Sequence, residues 1–241
     1  MPINLTLNQI LLLSFSGIIG LILGDTFLFL SFKEIGPRLS MLIMASNPAI
    51  AALIAFFILD EQLSIIAIAG MLLTLSGIYI VIANKTEKIE SIFKISGKGI
   101  LFAFLGAMGQ SIGLILTKMA FNDGDLNGLV ATETRIIAAV IFMFPALLIT
   151  GRFINPFSLF GKDVKLFATL TLSSIIGPYL GINLSYVAII YTKIGIAATL
   201  MSLVPIIMLP LSVIVYKEKL SLTSVIGTII TVAGVAILFL R

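Results

Sequence analysis

Along the chain, apolar runs of helix length recur at steady spacing, separated by short polar or glycine/proline-marked joints. The pattern predicts eight helices, at about 9–32, 39–59, 65–83, 99–120, 128–150, 166–190, 196–215 and 222–240. The short joints are Lys33-Glu34-Ile35-Gly36-Pro37-Arg38, Asp60-Glu61-Gln62, Asn122-Asp123-Gly124-Asp125 and Lys217-Glu218-Lys219. Two longer ones run from Asn84 to Lys98 and from Gly151 to Lys165. Most runs reach the roughly 20 residues that a membrane span requires. They do not alternate at every second position, as the strands of a membrane barrel would. Helices also satisfy their own backbone groups inside lipid. The expected fold is therefore all-α, a polytopic membrane bundle of eight transmembrane helices.

Composition sharpens this picture. Hydrophobic residues make up 59% of the 241 positions and charged ones 11%, against about 25% charged in a soluble domain. One soluble core has no use for so much apolar surface, so a soluble enzyme and a disordered tail are excluded. The chain has no Cys, His or Trp, which removes thiolate and imidazole chemistry and the usual soft metal ligands. No phosphate-binding loop, dinucleotide fingerprint or metal motif occurs. No catalytic residue, metal or cofactor is expected, and the chain is not read as an enzyme. The net charge is +4, with the basic residues mostly in the joints. No basic cluster interleaved with aromatics appears, so nucleic acid is excluded as a partner. Met1-Pro2-Ile3-Asn4 carries no basic segment and does not read as a signal peptide.

The chain also repeats itself. Ser16-Gly17-Ile18-Ile19-Gly20-Leu21-Ile22-Leu23-Gly24 aligns with Ser173-Ser174-Ile175-Ile176-Gly177-Pro178-Tyr179-Leu180-Gly181 at an offset of 157. The same offset pairs Pro48 with Pro205, Glu61 with Glu218, Leu63-Ser64 with Leu220-Ser221, Gly70 with Gly227, Thr74 with Thr231 and Gly77 with Gly234. Apolar sequence matches Ile and Leu by chance; it does not readily match glycines, a proline and a Glu-x-Leu-Ser turn in one register. The first three predicted helices thus match the last three. The expected division is 1–96, a first repeat lacking two helices, and 97–241, a complete five-helix repeat. Subtracting 157 from Gly97 gives −60, so the two missing helices would precede Met1. An odd number of helices per copy makes the copies run oppositely through the membrane, an arrangement common in secondary transporters.

These residues resemble the drug/metabolite transporter superfamily, EamA type. The resemblance is carried by Gly24-Asp25-Thr26-Phe27-Leu28-Phe29-Leu30-Ser31-Phe32-Lys33-Glu34-Ile35-Gly36-Pro37, by Asn47-Pro48 through Asp60-Glu61-Gln62-Leu63-Ser64, and by Gly70 to Gly77. The second set runs from Pro205 through Tyr216-Lys217-Glu218-Lys219-Leu220-Ser221 to Gly227 and Gly234. It implies two inverted five-helix halves around a central cavity, with the last helix of each half peripheral. It also implies movement of a small metabolite, often export, without ATP hydrolysis.

Asp25 is the sharpest candidate, because an ionisable group inside a span is costly unless it functions or is paired. It can carry a proton, meet a cationic substrate group, or pair with a basic residue. At the 157 offset its neighbourhood becomes Ile182 and Asn183, which makes any site asymmetric. Thr26, Asn47, Gln110, Asn183, Tyr179 and Tyr186 are neutral polar candidates for substrate contact, and Ser111 is a further polar group in a span. Arg135 suits a bidentate anion contact or a reach toward lipid headgroups. Lys118 reads as an interfacial anchor. Pro48 and Pro205, read as mid-helix, are hinge candidates, each removing one backbone bond. Gly20/Gly24, Gly109/Gly113 and Gly177/Gly181 are small-xxx-small pairs for close helix packing. Ser64 and Ser221 are expected helix N-caps.

Lys and Arg gather on the side of the joints at 33–38, 84–98, 151–165 and 217–219, which puts the C-terminus outside. The resemblance implies a C-terminus inside. The expected protein is a gradient-driven small-metabolite permease of a prokaryotic cytoplasmic membrane, with a small-molecule substrate, surrounding lipid and a homodimer as partners. The alternative is a non-transporting membrane scaffold or partner subunit.

Overall fold

A computed structural model describes residues 5–60, 62–83, 95–151, 153, 164–181, 184, 203–217 and 220–238. α1 (Leu7–Ser16) runs through a π-helical stretch (Gly17–Gly24) into α2 (Asp25–Met44). α3 (Asn47–Ile58), α4 (Ile65–Ala83), α5 (Gly97–Asn122) and α6 (Gly128–Ile149) come next. α7 (Val164–Ser174) continues into a second π stretch (Ile175–Leu180), and α8 (Val204–Tyr216) and α9 (Leu222–Leu238) complete the order. Among the described residues four helices are long and apolar enough to cross a membrane: Leu7–Met44, Ile65–Ala83, Gly97–Asn122 and Gly128–Ile149.

The first joint differs from the expected loop at 33–38. Leu7 to Met44 is one helical run of 38 residues, roughly 57 Å if straight and nearly twice the hydrocarbon core. It breaks at Gly36, whose φ of 79° and ψ of 161° lie outside the helical region. Glycine tolerates that positive φ, the residue before a proline disfavours helix, and Pro37 suits the first turn of the next segment. One residue therefore does the work of a loop. The Ser31 and Ser40 hydroxyls meet across the break at 2.6 Å, with Gly99 O 3.0 Å from Ser31 and Gly36 O 2.8 Å from Ser40. Arg38, counted among the loop charges by sequence, is buried there.

The second predicted helix is also divided. Ser46 N–H bonds Ile43 O in a tightened turn, and α3 starts anew at Asn47-Pro48. Pro48 thus stands in the first turn of a helix and not at the middle of one, and Pro205 likewise opens α8. A proline lacks the N–H that would reach back one turn, so the ladder breaks just before it, while the first turn needs no such bond. Backbone angles agree at positions 157 apart. Ser46 (φ −74°, ψ −14°) and Leu203 (φ −74°, ψ −9°) precede the two prolines with nearly one geometry. Asp60 (φ 51°) and Lys217 (φ 54°), also 157 apart, are the non-glycine residues with positive φ among the described residues.

The most extensive packing joins α4 and α9. A Cβ on Gly70 would lie 2.8 Å from Gly234 O, and one on Gly227 would lie 2.9 Å from Gly77 O. Cβ atoms on Gly77 and Gly234 would collide with Thr231 and Thr74. Gly70 faces Gly234 while Gly77 faces Gly227, so the helices are antiparallel, and the 157 offset exchanges one set of contacts for the other. Each threonine returns its hydroxyl to its own helix, Thr74 to Gly70 O at 2.9 Å and Thr231 to Gly227 O at 2.8 Å. Inside lipid, side-chain burial gives little drive to associate; van der Waals contact between closely approaching backbones does. The expected N-caps form beside this pair: Ser64 accepts from Ala67 N and Ser221 from Ser224 N, each at 3.1 Å.

α5 is the centre of the other cluster. It runs antiparallel to α1–α2, from Ser31 beside Gly99 to Gln9 beside Ala120. Even so only 44% of its most apolar window is buried. Phe57, Ile65, Tyr79 and Ile149 are among many large side chains turned outward. Such a surface suits lipid, and with the helical fold it defines a multi-pass membrane protein.

Candidate functional site

The π stretch Gly17–Gly24 is clasped between α5 and α6. Its glycines permit this: a Cβ on Gly24 would lie 3.2 Å from Gln110 N, and one on Gly113 would lie 3.2 Å from Gly20 Cα. A Cβ on Gly17 would collide with the Arg135 carbonyl of α6. Within the stretch Asp25 N–H bonds Gly20 O, five residues back. A widened turn inserts a residue into the helical phase and re-aims the side chains beyond it, which is why such turns recur at functional sites. Here the first side chain beyond the stretch is that of Asp25.

Gln110 stands at the middle of the 26-residue α5, about 20 Å from either end. Its Nε2 donates to Asp25 Oδ1 at 2.6 Å and to Gly20 O at 3.4 Å. The Arg135 side chain turns inward from α6, its NH2 nitrogen 3.3 Å from where a Gly20 side chain would begin. From there it acts electrostatically on the Asp25 carboxylate. The alternative of an Arg135 reaching for headgroups is therefore not the one adopted. Glu133, two residues earlier, is exposed, as a spacing of two on a helix requires.

The next residue of α5, Ser111, faces another neighbour. Its hydroxyl lies 2.7 Å from Asn47 Oδ1, 3.0 Å from Asn47 O and 2.7 Å from Ala107 O. The interruption before α3 and the Asp25 carboxylate thus lie at one depth, on adjacent residues of one helix. Toward the far end of α5, a cleft of about 340 Å³ is lined by Asn8, Leu12, Leu59, Met119, Asn122 and Asp123. It lies where α3 ends, so α3 touches α5 at Asn47 and frames the cleft at Leu59.

The structure brings Asp25, Gln110, Arg135 and Asn47 around the middle of α5. Thr26 is exposed and Tyr179 half exposed on the second π stretch. Asn183 and Tyr186 lie outside the described residues. Lys118 is exposed near the end of α5, where an anchor belongs. Sequence reasoning missed the π stretches and the buried tie of Ser16 to Gly113 O at 2.6 Å and to Thr117 at 2.8 Å. Serine and threonine at four-residue spacing beside glycines was the available signal. Chemically, the cluster offers a carboxylate held by an amide donor near a fixed cation. It can exchange a proton or hold a charged group. Among the described residues no three Asp, Glu, His or Cys side chains gather to hold a metal.

Helices interrupted within the membrane recur in transporter folds. The sequence pattern of the EamA-like transporter family matches residues 1–83 and 97–240. The chain belongs to that family, whose members are transporters and not enzymes. No curated protein matches the chain.

Proposed function

We propose that the protein is a gradient-driven permease that exports a small metabolite across the cytoplasmic membrane. In this reading residues 1–96 and 97–241 are inverted repeats whose relative movement exposes the Asp25 cluster to one side and then the other. Asp25 is the group that takes up a proton or a cationic part of the substrate, and Arg135 holds its charge in place. The observation that carries the reading is the 2.6 Å bond from Gln110 to Asp25 at mid-helix, level with the interruption at Asn47. An ionisable group so placed is costly unless used. The antiparallel, offset-related contacts of α4 and α9 and the two stretches of the family match support the repeats.

The test is reconstitution of the purified chain in liposomes, with exchange measured across a panel of labelled small metabolites, with and without an imposed pH gradient. The expected result is saturable exchange of at least one metabolite class, lost in Asp25→Asn while the folded helix content is retained. Exchange that is undiminished in Asp25→Asn overturns the role of the carboxylate. Absence of exchange for every metabolite, with a folded protein in the membrane, favours the scaffold.

A further inference from the structure

We propose that Ser111 is a positioning residue, a latch that ties the start of α3 to the stretch of α5 holding Asp25. The inference rests on the transport reading of that cluster and extends it to a residue outside it. Ser111 is fully buried, and its hydroxyl has one proton for three acceptors. Two belong to Asn47, at 2.7 and 3.0 Å, and the third is Ala107 O of its own helix, at 2.7 Å. When the proton points to Asn47, α3 is tied to α5. When it points to Ala107 O, the ordinary back-bond of a helical serine forms and α3 is released. The backbone carbonyls Ala107 O and Asn47 O also belong to helical ladders, so neither is stranded by the choice. Asn47 Oδ1 loses its Ser111 donor in the released state, so the tied state is the favoured one and release requires the half-buried amide to find another partner.

Three features make the tie matter. α3 is separated from α2 by the turn at Ala45-Ser46 and by a proline that removes the bond across it. Beyond its tied end it frames the cleft at Leu59. And Gln110, the neighbour of Ser111, holds Asp25. A shift of α5 at this level acts on both bonds together, linking the occupancy of Asp25 to the freedom of α3.

The experiment exploits a chain that has no cysteine. The variant Leu59→Cys is labelled with a membrane-impermeant thiol reagent in proteoliposomes, and its rate is compared after adding Ser111→Ala, Asn47→Ala, both together, or Ser111→Thr. Leu126→Cys, part-buried in the joint between α5 and α6 at the same end of the bundle, is the control. Expected are a several-fold rise in labelling at position 59 for Ser111→Ala, a smaller one for Asn47→Ala, no further rise when both are present, and an unaltered rate with Ser111→Thr. An unchanged rate in Ser111→Ala overturns the latch, and so does an equal rise at position 126, which marks general loosening. Should Ser111→Ala fail to fold, Asn47→Ala decides by the same comparison. Labelling needs no substrate, so the latch can fail while Asp25-dependent exchange survives, and the reverse.

Discussion

α4 with α9, and α1–α2 with α5, both bring backbones together through glycine, yet they enclose different groups. The α4–α9 contact contains no charged residue and is nearly self-symmetric: Gly70, Thr74 and Gly77 meet Gly234, Thr231 and Gly227 in mutual order. The α1–α2 contact with α5 is as close but asymmetric. It replaces a regular turn by the π stretch and threads Asp25, Gln110 and Arg135 through the gap. A symmetric seam of glycine and back-bonded threonine leaves nothing unsatisfied and so holds the fold. An asymmetric seam with a carboxylate in it costs stability, and in the proposed reading it is the one that carries the chemistry.

Substitutions in the two seams should separate these roles. Asp25→Asn has the largest expected effect, on transport alone. Asparagine keeps an oxygen to accept from Gln110 but cannot ionise, so exchange that depends on the charge should be lost. The melting temperature in detergent should barely move; a large drop would place Asp25 among the fold's supports. Gly234→Val should act the other way. Its side chain meets the backbone of Thr74, and overpacking of this kind costs about 1–3 kcal/mol. Thermal melting should report that loss, with activity per folded molecule preserved. Activity lost ahead of folding would show that the peripheral seam takes part in transport.

Gly24→Ala probes the central seam more gently. Its methyl would come within 3.2 Å of Gln110 N, so α5 must give by a few tenths of an ångström, at about 1 kcal/mol or less. Because Gln110 holds Asp25, exchange should still fall several-fold. Equal, small changes in melting and exchange would remove the distinction between the seams. Thr74→Val is the smallest: it deletes one back-bond, worth about 0.6 kcal/mol or less in membrane helices, and exchange should be untouched.

Much of the fold was legible in the chain. The small residues at four-residue spacing in 20–24 and 109–113 do meet, and Ser64 and Ser221 do cap their helices. The third pair, Gly177/Gly181, makes no such approach among the described residues: a side chain at Gly177 would meet nothing within 4 Å. Helix starts were less legible. Thr6 forms a capping box with Gln9 and begins α1 at Leu7, slightly before the apolar periodicity suggested. Lys33 to Arg38 reads as a polar loop because every residue in it except Ile35 is charged or turn-forming. Contacts to α5 and the Ser31–Ser40 bond allow Gly36 to make the turn alone and Arg38 to be buried. At the site, Asp25 and Gln110 stood out as polar groups in apolar spans, whereas their bond joins residues 85 apart.

The sequence by itself determined that the chain lives in lipid, that it is helical, that its ends repeat at an offset of 157, and two of the three glycine pairs at which helices were expected to approach closely. Hydropathy, periodicity and glycine spacing are local quantities, and lipid leaves the backbone few alternatives. Tertiary structure alone decided that Arg135 turns inward and that the 17–24 stretch is π-helical. Each of these depends on what a neighbouring helix offers: a carboxylate, or room beside a glycine.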